Sequence, residues 1–195
     1  MLITLVLPDI PTEDQLLRQA RSGDQRAIMQ IYESYFTPVY EYIRLRTGDI
    51  MSAEDLTSEV FIRLIKALKG PNAPRKTLRG WLFRVARNTV YDHYGQKRKM
   101  PQVTLDEWIS APGDDQPEVQ FIQNMDLEHA RHALRMLAAD QQEVLILRFG
   151  QSLSLQETAD VMGKSVSAIK SLQFRAVDTL RNILVSGSGS HRDVS

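Results

Sequence analysis

The sequence predicts an all-α protein with two helical domains joined by a flexible acidic linker. Apolar residues recur at helical spacing along most of the chain, and no run alternates with the two-residue period of a strand. Prolines and acidic residues gather between residues 99 and 124, where they exclude a long helix. We therefore expect a first domain over residues 12–98, a linker over 99–120, a second domain over 121–185 and a flexible tail over 186–195.

Bulk composition narrows the class of protein. The chain has 195 residues and a hydrophobic fraction of 43%, enough for packed cores. It has no cysteine, which excludes disulfides and thiol-based metal or redox sites. The apolar arm over residues 1–11 lacks the positively charged start of a signal peptide, and it is too short to span a bilayer. We expect a cytoplasmic protein without membrane insertion.

The formal net charge of zero hides an uneven charge distribution. Residues 75–99 hold eight bases against Asp92 alone, whereas residues 100–124 hold five acids and no base. Basic residues interleaved with aromatic ones suit a phosphate backbone and exposed bases. The basic segment therefore indicates a nucleic-acid partner.

Four helices are predicted in the first domain. The first begins after Thr12, which forms a capping-box pattern with Gln15. The second covers 25–46, and Pro38 marks a point where a kink or an interruption is expected. The third covers 52–69 with Ser52 as its cap, and the fourth covers 78–94.

The third helix carries polar residues in its first two turns, away from its apolar face. They include Glu54, Asp55, Ser58 and Glu59. Acidic side chains there could simply favour the helix dipole. Alternatively, they form a docking surface for a basic partner, and the sequence leaves both interpretations open.

The fourth helix places cations, an amide and an aromatic residue on one face. They are spaced three, four and seven residues apart at Arg84, Arg87, Asn88 and Tyr91, and Arg98 lies beyond the helix. Arginines that are merely solvated would give the same pattern. Contact with nucleic acid is favoured because phosphate neutralisation and base stacking use these residue types.

The second domain ends in a predicted helix-turn-helix. Preceding helices are expected up to Leu137 and from Asp140 to Gly150. Ser154 should cap the next helix, Gly163 should end it, and Ser165 should cap the helix that follows. That last helix leaves one face outward, with Ser167, Lys170, Ser171, Phe174 and Arg175. Such a helix enters a DNA major groove, although a helical hairpin with a solvated basic face remains the alternative.

An enzymatic function finds little support. His129 and His132 have a spacing that could hold a metal, but no carboxylate–histidine constellation completes the site. Neither a P-loop nor a dinucleotide-binding glycine motif occurs. We expect no catalytic residue, no metal and no cofactor.

Three segments, in order, carry a family resemblance. They read AEDLTSEVFIRLIKAL, GWLFRVARNTVYDHYGQKRK and LAADQQEVLILRFGQSLSLQETADVMGKSVSAIKSLQFRA. Together they resemble the bacterial sigma-70 family of RNA polymerase sigma factors, and more narrowly its extracytoplasmic-function (ECF) group, which keeps regions two and four. The resemblance implies core RNA polymerase and promoter DNA as partners, and an anti-sigma factor as a further one.

The resemblance also assigns roles to residues. It implies that Asp55, Ser58 and Glu59 contact the clamp helices of the beta-prime subunit. The segment 81–98 matches the part that recognises the minus-ten element, with candidates at Arg84, Arg87, Asn88, Tyr91 and Arg98. Region four would sit on the beta flap and read the minus-thirty-five element with Ser165, Ser167, Lys170, Ser171 and Arg175.

One departure from the family pattern concerns promoter specificity. The family commonly has arginine and leucine where this chain has Leu172 and Gln173. The helix is therefore expected to be rotated slightly, or Leu172 to contact a thymine methyl group. A stand-alone helix-turn-helix regulator is the runner-up, but it leaves the Ala53–Phe61 and Trp81–Arg98 segments unused. A protein that only binds another protein would account for the acidic third helix, but not for the two basic segments predicted to bind DNA.

Overall fold

The computed structural model describes residues 12–71, 73–74, 77–95 and 133–188. The predicted arm over residues 1–11, the linker and the site residue Arg98 lie outside the described residues, as do the His129–His132 pair and the end of the tail. The described residues form helices and connecting turns without a strand, which confirms the all-α class.

Seven α-helices have both bounds in the described residues, and residues 133–135 are helical as well. Their bounds are α1 Glu13–Arg21, α2 Gln25–Thr47, α3 Ile50–Leu68, α4 Leu78–Tyr94, α5 Ala139–Leu145, α6 Leu155–Met162 and α7 Val166–Ser188. A π-helical turn over Ile146–Gly150 continues α5.

Helix starts follow the capping chemistry of the sequence at most positions. Thr12 and Gln15 form the predicted capping box on α1, and Ser154 forms one with Glu157 on α6. The predicted cap of α3 is wrong: Asp49, not Ser52, caps this helix, and its carboxylate accepts a hydrogen bond from the Ser52 amide at 2.8 Å. The helix therefore starts two residues earlier than predicted, because the ionised carboxylate is the stronger acceptor.

Helix α2 runs through Pro38 without the interruption that the proline suggested. Proline removes one backbone donor, but the helix is fixed by side chains buried on both sides of that position. They include Ile31, Val39, Tyr42 and Ile43. Burial of this apolar face outweighs the lost hydrogen bond.

The buried side chains form one continuous core that joins the two predicted domains. In the first, α2 packs against α3 and α4, while α1 packs on α2. In the second, α5 and α6 pack on α7. Helix α4 also packs on α6, so the helix-turn-helix lies directly against the last helix of the first domain.

Two predictions about the second domain need correction. The helix expected from Asp140 to Gly150 begins at Ala139 and widens into the π-helical turn, which ends where the Gln151 amide donates to the Ile146 carbonyl. Helix α7 runs to Ser188, although a flexible tail was expected from residue 186. An established helix extends easily by one residue at a time, and neither serine nor a single glycine stops it.

Candidate nucleic-acid interface

The helix-turn-helix is built as its sequence predicts. Gly163 ends α6 in the left-handed conformation, with φ of 65°. Ser165 then caps α7, since its hydroxyl oxygen accepts a hydrogen bond from the Ala168 amide at 3.2 Å. Ile169 and Ala176 are buried on the inner face of α7. These constraints fix which side of α7 faces away from the protein.

The structure brings all five residues predicted to face the minus-thirty-five element, Ser165 before α7 and four residues of α7, together on that outer side. Ser165, Ser167, Lys170, Ser171 and Arg175 are exposed. The hydroxyl oxygens of Ser165 and Ser167 lie 3.0 Å apart, and Arg175 Nε donates to the Ser171 carbonyl at 3.3 Å. The face therefore offers two cations and three hydroxyl groups along the first three turns of the helix, which can bind phosphates and base edges.

Phe174 also belongs to this face, although it was not among the predicted site residues. Its side chain is 75% exposed, which is unusual for phenylalanine in a folded helix. It lines a cavity of about 340 Å³ with Lys170, Gln173 and Val177. The signal was present in the sequence, since Phe174 comes four residues after Lys170 on the predicted outer face.

The structure contradicts the suggestion that Leu172 contacts a thymine methyl group. Leu172 is buried in the core, and the neighbouring Gln173 is half-buried. Gln173 accepts a hydrogen bond from Arg148 Nε at 3.1 Å. Burial of a leucine is favourable in free energy, and Arg148 gives the glutamine a partner, so both replacements serve packing inside the protein.

On α4, the predicted face is divided between solvent and the protein interior. Arg84 and Asn88 are exposed, as expected for residues that reach a ligand. Arg87 and Tyr91 are partly buried and contact each other: the Arg87 guanidinium lies 4.5 Å from the Tyr91 ring centroid and donates to its hydroxyl at 3.1 Å. Cation–π stacking of this kind orders both side chains.

Arg87 is less exposed than its position away from the apolar face of α4 suggests. Its side chain is 17% exposed, and its Nε lies 3.9 Å from a carboxylate oxygen of Glu143 on α5. The carboxylate attracts the guanidinium towards the second domain because opposite charges attract strongly where water is excluded. Local sequence patterns could not place these two residues together, since they belong to different predicted domains.

Glu143 is a buried residue whose role the sequence did not indicate. Its carboxylate accepts a hydrogen bond from the Tyr42 hydroxyl at 2.7 Å and another from the Arg46 guanidinium. Burial raises the pKa of Tyr42 well above its ordinary value, and the charge of Glu143 adds to this effect. Arg46 and Glu143 are each 1% exposed, so the pair is isolated from water.

The outer face of α3 carries the predicted docking residues. Asp55 and Ser58 are exposed, whereas Glu59 is half-buried and pairs with Arg63, whose Nε lies 3.0 Å from a Glu59 oxygen. Two exposed isoleucines, Ile62 and Ile65, continue the strip towards the end of the helix. The strip is therefore acidic at one end and apolar at the other, a combination that suits a helical protein partner.

Neither a metal-binding cluster nor a membrane-spanning helix occurs in the described part of the chain. In the ranges that the structure describes, no group of three or more histidine and carboxylate side chains could hold a metal ion. Of the described helices, none combines the length and the apolar character needed to cross a membrane.

Each half of the chain matches a known protein family. Residues 31–100 match the model of sigma-70 region 2, and residues 133–182 match that of sigma-70 region 4. The ECF RNA polymerase sigma factor BldN of Streptomyces coelicolor is 39% identical over 171 residues, which cover 87% of this chain and 65% of that protein.

Two further likenesses agree with this result. The ECF RNA polymerase sigma factor SigD of Mycobacterium tuberculosis is 31% identical over 180 residues, covering 89% of this chain and 84% of SigD. In fold, the chain is similar to the sigma factor RpoE of Bartonella quintana in its co-crystal structure with the anti-sigma factor NepR, with a TM-score of 0.57 and 22% identity over 80% of this chain and 95% of RpoE. The chain belongs to the ECF group of the sigma-70 RNA polymerase sigma factors, a family of transcription regulators.

Proposed function

We propose that this chain binds core RNA polymerase and directs it to specific promoters for transcription initiation. The observation that carries the proposal is the outer face of α7, where two cations, three hydroxyl groups and an exposed aromatic ring lie along the first three turns of a recognition helix. A face of this composition suits the major groove of a minus-thirty-five element.

Core polymerase is proposed to dock on the outer face of α3. Asp55, Ser58 and Glu59 would meet the basic clamp helices of the beta-prime subunit, and Ile62 would add apolar contact next to them. The second domain would sit on the beta flap. Complementary charge would speed association and orient the two proteins, while the apolar contact would slow dissociation.

The α4 face is proposed to read the minus-ten element. Arg84 and Asn88 are exposed and available for phosphates and base edges, and Tyr91 offers a ring for an unpaired base. Arg87 and Arg98 are proposed to take part in the same contact. Two weak readers on one chain raise each other's effective concentration, so the complex can hold promoters that neither reader would hold alone.

An anti-sigma factor is proposed as the regulator of this chain. The sigma factor RpoE of Bartonella quintana binds the anti-sigma factor NepR, and we extend this mode of control to the present chain on the basis of family membership. The protein would work in the cytoplasm, with residues 12–98 and 121–185 as its two domains, and the proposed activity requires no covalent chemistry by the chain itself.

In-vitro transcription with purified core polymerase tests the proposal. Core polymerase alone should give no specific starts on genomic fragments, and the chain should add starts whose upstream sequences share two elements. The proposal is wrong if the chain protects promoter DNA strongly by itself and core polymerase adds nothing, because a stand-alone helix-turn-helix regulator would behave in this way.

A further inference from the structure

We propose that Gln173, besides packing inside the protein, is a positioning residue that orients the Arg148 guanidinium towards the phosphate backbone beside the minus-thirty-five element. The inference rests on the proposed function and deepens it. It adds a backbone contact from outside the recognition helix and names the side chain that holds this contact in place.

The proposed contact lies in the cavity next to the outer face of α7. Lys170 and Phe174, which belong to that face, form part of the wall of this cavity of about 340 Å³. Arg148 and Arg181 line it as well, so the lining contains three cations and one acid, Asp178. A cationic cavity that is continuous with a proposed DNA-reading face suits a phosphate group.

Arg148 reaches this cavity from a different element, the π-helical turn over Ile146–Gly150. Its guanidinium is held at two points, because Nε donates to Gln173 Oε1 at 3.1 Å and Nη1 donates to the Leu153 carbonyl. Within the described part of the chain, hydrogen bonds thus use two of the five guanidinium N–H groups. Since Arg148 is only partly buried, the other N–H groups can donate to a phosphate oxygen in the cavity.

Gln173 supplies the acceptor that fixes the orientation of this guanidinium. A free arginine side chain samples many rotamers, and ordering it at the moment of binding costs free energy. The amide oxygen of Gln173 takes the Nε–H and orders Arg148 before DNA arrives. Leucine is close to glutamine in helix propensity but offers no acceptor, so it would leave Nε without this partner.

The position of Arg148 favours a contact with the backbone over a contact with a base. In helix-turn-helix proteins the first helix crosses the DNA backbone while the second lies in the groove. Arg148 precedes the first of these helices, α6, and Leu155 at the start of α6 lines the same cavity. Backbone contacts carry no sequence information directly, so Arg148 should add affinity and salt dependence without sequence preference.

Salt-dependent DNA binding by the complex of full chain and core polymerase tests the proposal. The probe is a labelled duplex that carries a promoter mapped by run-off transcription. Arg148→Gln removes one cation, so the slope of log K against log salt concentration should become shallower by about 0.9, the value for one phosphate contact. The affinity gap to the native chain should then narrow about 3.5-fold between 50 and 200 mM salt. Gln173→Leu should give at least half of this change in slope, although it removes no charge.

A double variant shows whether the two residues act as one unit. Arg148→Gln/Gln173→Leu should have the same slope as Arg148→Gln alone, because Gln173 acts only through Arg148. Gln141→Leu is the matched control. This half-buried glutamine also bonds to α7, through the Thr179 hydroxyl at 3.3 Å, but it does not line the cavity, so its slope should stay at the native value. Circular dichroism should show native helix content throughout. Should Gln173→Leu lose helix content, Gln173→Met, which equally lacks the amide oxygen, takes its place.

A comparison of two DNA duplexes separates a backbone contact from base reading. Arg148→Gln should weaken binding to the mapped promoter and to a copy with a scrambled minus-thirty-five element by the same factor. The proposal is overturned if removal of the Gln173 amide leaves the native slope, if the double variant changes the slope further than Arg148→Gln, or if the two affinities fall by different factors. If the native complex itself does not distinguish the two duplexes, the proposed function fails and this inference fails with it.

Discussion

The salt dependence of promoter binding should report directly on the outer face of α7. Replacing both Lys170 and Arg175 by alanine removes two exposed cations that make no ion pair among the described residues. Each phosphate contact on B-DNA contributes a slope of about −0.9 to the dependence of log K on log salt concentration. The double variant should therefore bind with a slope shallower by about 1.8.

The expected magnitude can be stated as a ratio of affinities. A slope of about 0.9 per contact corresponds to about 3.5-fold in affinity when salt rises from 50 to 200 mM, and two contacts to about twelvefold. The affinity gap between the native protein and the Lys170→Ala/Arg175→Ala variant should thus narrow about twelvefold over this range. Fluorescence anisotropy of labelled promoter DNA, titrated with the reconstituted complex of chain and core polymerase, measures both slopes.

A matched control separates local contact from overall charge. The Arg18→Ala/Arg21→Ala variant removes the same charge from exposed positions on α1, and its slope should equal the native one. Equal slopes for the native protein and the α7 variant would refute the reasoning. The same holds if the α1 variant changes the slope as much, because the effect would then come from net charge.

Three further changes test other parts of the account. Asp55→Arg should weaken core-polymerase binding about tenfold or more, because it places a cation against a basic surface. The free energy of unfolding should stay at the native value. An unchanged affinity in a binding titration would contradict the docking assignment. Gly163→Ala should lower the free energy of unfolding by about 1–2 kcal/mol because φ is positive at this position. Gly70→Ala is the control: φ is not positive there, so the loss should be smaller. Equal losses of unfolding free energy in urea would refute the argument from backbone strain. Burial raises the pKa of Glu157, but hydrogen bonds from Ser154 and Thr77 outweigh it and hold the pKa below its ordinary value of 4.5, so its stabilising effect is present above that value and is lost as the pH falls through the lower folded pKa. Urea unfolding at pH 7 and pH 3 should therefore differ less for Glu157→Gln than for the native chain, and an equal difference would contradict this interpretation.

Much of the helical architecture follows from local sequence. Apolar periodicity locates α2, α3 and α4 to within two residues at each end, because each helix must bury one continuous stripe. Strong local signals also specify the helix-turn-helix, since Ser154, Gly163 and Ser165 each act through the backbone within a few residues. The start of α3 was missed because Asp49 and Ser52 are both good caps and lie only three residues apart.

Contacts between residues far apart in the sequence could not be predicted from local pattern. The Arg46–Glu143 pair joins residues 97 positions apart, and neither residue differs in local pattern from a solvated charge on an amphipathic helix. Arg87 lies next to the same carboxylate, with its Nε 3.9 Å from a Glu143 oxygen, so its surroundings also depend on a residue far away in the sequence. The helical pattern alone is enough to place Phe174 on an exposed face, and it does the same for Ile62, an apolar side chain that is 50% exposed.

A footprint of the reconstituted complex on one mapped promoter tests the central claim most directly. Hydroxyl-radical cleavage should show two protected patches, one at each element, when the chain and core polymerase are both present, and Lys170→Ala/Arg175→Ala should weaken only the upstream patch. The account is contradicted if the chain without core polymerase protects both elements, or if the complex protects a single patch that the α7 variant leaves unchanged.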